Sequence, residues 1–111
     1  MADHTLHHYR ATLERIIDGD TIDVLLDLGF KVFTLQRLRL LAIDTPERGQ
    51  LGYLEATHEL AELLAPAGRQ QPLIVHTIKR DGFGRWLATV WVEGSHTSIN
   101  EQMRRLGHAR D

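Results

Sequence analysis

Two short acidic segments of this chain could together hold a metal ion: Asp18-Gly19-Asp20-Thr21 and Asp44-Thr45-Pro46-Glu47. Taken alone, each could equally be a simple turn that ends a strand. If the two segments end neighbouring strands of one sheet, Asp20 and Asp44 would converge, and their like charges would repel unless a cation lay between them. Carboxylate and carbonyl oxygens suit hard ions such as Ca²⁺ or Mg²⁺, and the carbonyl of Thr45 is a candidate third ligand.

Two arginines could bind the phosphate group of a substrate. Arg39 lies in an otherwise apolar run, with the side-chain parity of Leu41 and Ile43. It could form a salt bridge, reach solvent at a barrel rim, or grip phosphate oxygens with its planar fork. Arg85 lies in a loop, where a solvated arginine is the default expectation. If that loop closes over the same end of the sheet, both arginines could stabilise a phosphoryl group, while Glu47 orients or deprotonates the attacking water.

The elements that must position these residues can be read from the hydrophobic pattern. Period-two alternation, β-branched runs and breaks at Gly or Pro predict five strands. Their predicted ranges are 9–17, 22–28, about 31–43, 73–78 and 86–92. The Asp18-Gly19-Asp20 sequence predicts a tight turn between the first two strands, and Pro46 ends the third.

Two helices are predicted in the second half of the chain. Apolar residues at helical spacing indicate a first helix over 53–64, which ends near Pro66 and Gly68. Ser98 and Glu101 have the spacing of a capping box. A short second helix is therefore expected, with Ile99, Met103 and Leu106 on one face, before Gly107.

The order strand, strand, strand, helix, strand, strand, helix predicts an α+β fold that is mostly β. We expect a five-stranded Greek-key barrel of the OB type with two flanking α-helices, a fold that often presents a nucleic-acid-binding face. At 111 residues and 42% hydrophobic content, the chain is long enough for one domain. We place that domain at 9–111, after a flexible N-terminus at 1–8.

Composition and charge narrow the classes of function. A net charge of −2 leaves no broad basic surface for sequence-independent binding of polyphosphate, so affinity for nucleic acid must be local. The absence of cysteine removes thiolate metal sites, cysteine nucleophiles and disulfides. The N-terminus is polar and has no apolar stretch of a secretory signal, and no run approaches a membrane span. We therefore expect a cytoplasmic protein without a membrane partner.

Three segments, in matching order and spacing, resemble the staphylococcal nuclease family (thermonuclease, or micrococcal nuclease). They are Ile17-Asp18-Gly19-Asp20-Thr21, Arg39-Leu40-Leu41-Ala42-Ile43-Asp44-Thr45-Pro46-Glu47 and Asp81-Gly82-Phe83-Gly84-Arg85-Trp86-Leu87-Ala88. The likeness extends over roughly 9–109. It implies an OB-type barrel and a calcium-dependent endonuclease, a hydrolase that cleaves phosphodiester bonds of DNA and/or RNA.

The resemblance also implies roles for single residues. Calcium would be held by Asp20, Asp44 and the Thr45 carbonyl. Arg39 and Arg85 would clamp the phosphate.

Three further positions follow from the same resemblance. Glu47 falls at the position of the family's proposed general base, and Asp18 would lie near the metal without binding it directly. Phe83 stands where the family commonly has a tyrosine that helps hold the nucleotide, which makes it a candidate substrate-binding residue.

A rival hypothesis is a non-catalytic OB-fold module that binds nucleic acid or a peptide. Family members that have lost catalysis typically lack several of the charged positions, whereas all of them are filled here. The sequence therefore favours an enzyme, and we expect a monomer with no obligate protein partner.

Overall fold

The structure of the chain, a computed structural model, describes residues 7–69, 71–80 and 84–109. The strands are β1 (His8–Asp18), β2 (Thr21–Asp27), β3 (Phe33–Leu40), β4 (Leu73–Arg80) and β5 (Trp86–Val92). The helices are α1 (Tyr53–Leu63) and α2 (Ile99–Met103), with a 3₁₀ turn at Ala65–Arg69 and a widened π turn at Arg104–His108. No described helix is long and apolar enough to cross a membrane.

The five strands form a closed barrel in the order β1-β2-β3-β5-β4. All neighbours are antiparallel except β3 and β5, which pair in parallel with Arg39 opposite Leu87. The predicted OB-type barrel with two flanking helices is confirmed. Because β2 starts and β3 ends at the same rim of the barrel, the fold brings the two acidic segments to one place.

Alternation along the strands fills the barrel interior with apolar side chains. On β2 the inward residues are Ile22, Val24 and Leu26, all buried. Leu60 of α1 and Met103 of α2 are buried against the same core. The helices thus cover the barrel and extend its core.

The end of β3 differs from the predicted strand over 31–43. The strand stops at Leu40, because Ala42 adopts a left-handed conformation (φ 64°) that an extended strand does not allow. The turn changes the parity of the chain: Arg39 lies on the outer face of β3, but Ile43 is buried. Ile43 instead bridges Ala109.

The prediction that Ile99, Met103 and Leu106 share one face of the second helix is wrong for Leu106. Ile99 and Met103 are buried, whereas Leu106 is 48% exposed. The reason is that α2 ends at Met103, the next turn widens, and Gly107 (φ 100°) then leaves the helix. The predicted cap at Ser98 is present, since its side chain accepts a hydrogen bond from the Glu101 N–H across 3.0 Å.

The side chain of Asn100 joins α2 to the barrel. Its Nδ2 donates to the carbonyls of Leu41 and Ala88, each at 3.0 Å, and its Oδ1 accepts from the N–H of Val90 at 3.0 Å. Three backbone groups near the β3–β5 pair therefore bond one buried amide, although the Ala88 carbonyl also accepts from the Leu41 N–H at 2.9 Å.

Replacing that amide by an apolar side chain of similar size tests this dependence. Asn100→Leu removes the amide partner of the Val90 N–H and of the Leu41 carbonyl, while the Ala88 carbonyl keeps its bond from the Leu41 N–H. Each unsatisfied group costs about 1–3 kcal/mol, so we expect the free energy of unfolding in urea to fall by at least about 2 kcal/mol. Gln102→Leu is the matched control. Its free energy of unfolding should fall by less than about 1 kcal/mol, because among the described residues the Gln102 side chain donates to one backbone group, the Thr97 carbonyl. Equal losses in the two variants would contradict this role.

Candidate active site

The turn between β1 and β2 holds Asp20 in a fixed, buried position. The N–H of Asp20 donates to Oδ1 of Asp18 at 3.0 Å, which stabilises the turn. Oδ1 of Asp20 accepts from the Thr21 hydroxyl at 2.8 Å, and its Oδ2 accepts from the N–H of Thr45 at 3.1 Å. The buried carboxylate thus connects the first acidic segment to the second.

The two aspartates of this turn have pKa values that are shifted in opposite directions. Burial raises the pKa of Asp18, and its contact with Asp20 raises it further. Burial also acts to raise the pKa of Asp20, but hydrogen bonds with Asp18, Thr21 and Thr45, together with the charge of Arg39, outweigh it and leave that pKa below its ordinary value. Of the two, Asp20 is therefore the aspartate whose surroundings favour the ionised form that a cation ligand needs.

The segment after β3 places Asp44 beside this turn. The left-handed Ala42 turns the chain, and the N–H of Asp44 then donates to the His108 carbonyl at 2.9 Å. The ring of His108 in turn contacts Glu59 of α1, with Nε2 and Oε1 2.7 Å apart. The C-terminal turn and α1 therefore support the position of Asp44.

Arg39 lies between the two acidic segments. Its Nη2 donates to the Ile43 carbonyl and to Oδ1 of Asp44, both at 3.2 Å, and lies 3.6 Å from Oδ2 of Asp20. The Arg39 side chain is only 15% exposed, so solvent screens its attraction to Asp20 only weakly. Of the roles that the sequence left open for Arg39, the salt bridge is present.

The oxygen atoms around Arg39 suit a hard cation as ligands. Asp20 and Asp44 supply carboxylate oxygens, and Oγ1 of Thr45 is buried with no hydrogen-bond partner among the described residues. Within that part of the chain, no group of three or more His, Asp and Glu side chains is arranged to hold a metal. An ion here would need backbone and water oxygens as well, which Ca²⁺ and Mg²⁺ readily accept.

Glu47 borders the same site from its open side. A depression of about 460 Å³ is lined by Asp44, Thr45, Pro46, Glu47 and Gln50. The Glu47 side chain is exposed, while its backbone N–H donates to Oε1 of Gln50 at 2.7 Å. The loop is thus held by its backbone and leaves the carboxylate accessible to water.

Arg85 directly precedes β5, the strand that pairs with the end of β3 at Arg39. Because Leu87 is the parallel partner of Arg39, alternation gives Arg85 the parity of this outer face. Arg85 is half-buried. The last candidate, Phe83, lies outside the described residues.

The structure shows supports of this site that the sequence did not predict. The fold brings Asp18, Asp20, Asp44, Thr45 and Arg39 together, and Glu47 lines a depression with Asp44 and Thr45. Sequence reasoning missed the contact of His108 with Glu59 and the hydrogen bond that the His108 carbonyl accepts from Asp44. No local pattern reveals them, since 49 residues separate His108 from Glu59.

Comparison with known proteins supports the assignment of this chain to a family. Residues 37–111 match the family described as staphylococcal nuclease homologue. The chain is 37% identical over 100 residues to protein ParB of Escherichia coli, covering 90% of this chain and 51% of that protein. It is 36% identical over 104 residues to endonuclease YncB of Bacillus subtilis (89% and 46%) and 37% identical over 98 residues to micrococcal nuclease of Shigella flexneri (88% and 51%).

The chain spans about half the length of these relatives. The family match covers the end of β3, both helices, β4 and β5, while the matches to these three relatives extend over about nine tenths of the chain. With the barrel and its acidic rim, these matches establish that the chain belongs to the staphylococcal nuclease homologue family.

Proposed function

We propose that this chain is a metal-dependent phosphodiesterase that hydrolyses the backbone of DNA or RNA. One observation carries the proposal: the carboxylates of Asp20 and Asp44 converge on Nη2 of Arg39, at 3.6 and 3.2 Å. This arrangement combines oxygen ligands for a cation with a cationic donor for phosphate. Relatives named as an endonuclease and a micrococcal nuclease support the same activity.

Calcium is the proposed cofactor, held by the carboxylates of Asp20 and Asp44 and by the Thr45 carbonyl. The ligands on offer are hard oxygens. The hydroxyl of Thr45, buried and without a hydrogen-bond partner among the described residues, is consistent with a polar occupant at this position. When bound, calcium would neutralise charge that develops on the phosphoryl oxygens. Asp18 supports the site indirectly, by fixing the backbone of Asp20.

The remaining groups of the site would bind the phosphate and the water. The guanidinium groups of Arg39 and Arg85 donate to the nonbridging phosphate oxygens, where negative charge builds in the transition state. Glu47 orients the attacking water or takes its proton on a carboxylate oxygen. The water oxygen forms a bond to phosphorus as the bond to the leaving oxygen breaks, and that oxygen then takes up a proton.

Arg39→Ala tests the phosphate clamp. Loss of one donor to the developing charge removes about 3 kcal/mol of transition-state stabilisation, so kcat should fall by about a hundredfold or more. Arg10→Ala is the matched control, because Arg10 is also an ion-paired strand arginine but contacts Glu93 instead. Turnover should be measured on single-stranded DNA in calcium, after circular dichroism has confirmed folding. An Arg39→Ala protein with unchanged kcat would exclude the clamp.

Glu47→Gln tests the role of the carboxylate at the open side of the site. The amide keeps the size of the side chain but cannot take a proton, so we expect kcat to drop by about 10²–10⁴. Calcium affinity, measured by isothermal titration calorimetry, should be retained because Glu47 is not a proposed ligand. Glu14→Gln, an exposed change on β1, is the control. Activity close to that of the control would remove Glu47 from the mechanism.

Calcium dependence is tested with single-stranded DNA in calcium and in EDTA. Cleavage should occur only in calcium, and Asp44→Asn should weaken calcium binding by at least about tenfold, since it removes a charged ligand. Asp27→Asn, at the far end of β2, should bind calcium as the parent does.

Each alternative gives a different result in the same experiments. Cleavage that persists in EDTA would contradict the calcium assignment. DNA that is bound but never cleaved would identify the chain as a binding module. A purely structural calcium would lower the melting temperature on chelation, while Glu47→Gln left activity unchanged.

A further inference from the structure

The outer face of β3 carries a continuous row of side chains that ends at the candidate site. Alternation places the odd-numbered residues of β3 on this face and buries Leu38 and Leu40. From the hairpin towards the site, the row consists of Phe33, Leu35, Arg37 and Arg39. At about 3.3 Å per residue, it extends over about 20 Å.

The half of the row that is farther from the site is apolar and open to solvent. Phe33 is 55% exposed and Leu35 is 61% exposed. The β2 residue opposite Leu35 is Leu25, which is half-buried and widens the apolar surface. Single exposed apolar residues are common on protein surfaces, but several neighbouring ones on one face indicate a binding surface.

The half nearer the site is cationic and held in place. Arg37 donates to both carboxylate oxygens of Asp23, at 2.8 and 3.1 Å. These hydrogen bonds hold the pKa of Asp23 below its ordinary value. The pair borders a shallow depression of about 320 Å³, which Leu35 and Gly84 also line. Since Gly84 precedes Arg85, this depression continues the row towards the proposed phosphate clamp.

We propose that the outer face of β3 from Phe33 to Arg37 binds single-stranded nucleic acid whose phosphate is held at Arg39. This inference rests on the proposed function. Phe33 and Leu35 offer apolar surfaces for bases, since every base has a π face that stacks on an aromatic side chain. The guanidinium of Arg37, fixed by Asp23, offers a planar cation for a further base.

The charge of the chain favours a single strand over a duplex. A duplex hides the faces of its bases and is bound chiefly through phosphates, which requires a broad basic surface. The chain has a net charge of −2, and Asp23 and Asp27 lie opposite Arg37 and Phe33 in the β2–β3 register. An apolar row that leads to a few arginines instead matches exposed bases joined to a phosphate backbone.

The test compares binding and cleavage of long and minimal substrates. A fluorescent single-stranded DNA of about eight nucleotides, within the site size of such a barrel, is titrated in EDTA and followed by anisotropy. We expect Phe33→Ala and Leu35→Ala each to weaken binding by about tenfold. Phe33→Trp should bind as tightly as the parent or more tightly. Leu54→Ala, which changes a 78% exposed leucine on α1, should leave binding unchanged.

Cleavage separates this proposal from the proposed function. Bis(p-nitrophenyl) phosphate is too small to reach from Arg39 to Phe33, so Phe33→Ala should hydrolyse it at the parent rate while losing about tenfold in kcat/KM on the oligonucleotide. If the parent cleaves neither substrate, the proposed function fails, and the binding titration still decides the role of this face.

Three results would overturn the proposal. One is oligonucleotide binding that does not depend on Phe33 or Leu35. Another is duplex DNA that binds as tightly as the single strand. The third is a parent dimer, seen by sedimentation velocity, that Phe33→Ala converts to a monomer without loss of DNA binding, because this face would then be an interface between copies.

Discussion

The buried carboxylate of Asp20 joins two parts of the chain that are 25 residues apart, because its Oδ2 accepts a hydrogen bond from the N–H of Thr45. The carbonyl of Asp20 also accepts from the N–H of Leu40, at 2.8 Å, which ties the same turn to the end of β3. The approach is so close that a Cβ on Gly19 would lie 2.8 Å from Oγ1 of Thr45. A glycine is therefore required at this position by packing and not by its backbone angles.

The same contact brings two carboxylates close together, and Arg39 offsets the repulsion between them. Asp20 and Asp44 are brought to one rim, where two carboxylates would repel in the absence of a cation. Nη2 of Arg39 lies within 3.6 Å of both and also donates to the Ile43 carbonyl. The chain thus folds with an internal counter-ion in place. A metal ion that neutralised the carboxylates would take over part of this role, and more of the guanidinium would then be available to a phosphate.

Sequence patterns predicted the features that depend on local rules. Alternation located β2, and an apolar run rich in β-branched residues located β5. The Asp18-Gly19-Asp20 sequence located the first turn, and Ser98 marked the start of α2. The patterns failed where a long-range contact decides the local conformation. The left-handed Ala42 has no glycine or asparagine to announce it, and it is sustained by the hydrogen bond of Asp44 with His108. The exposure of Leu106 follows from the end of α2 at Met103, which helical spacing alone does not show.

The two faces of β3 differ in what they indicate about function. One face of β3 is turned towards the core, and Leu38 and Leu40 on it are fully buried. The opposite face is under no such demand, so an apolar residue there is not explained by folding. Because Phe33 and Leu35 are exposed to water, they contribute little to the stability of the fold. Their position in line with Arg39 on one strand gives them a fixed distance from the candidate site. A closed barrel keeps that distance rigid, because every strand is held by two neighbours. The face that the core does not need is therefore the one on which substrate recognition can be built without loss of stability.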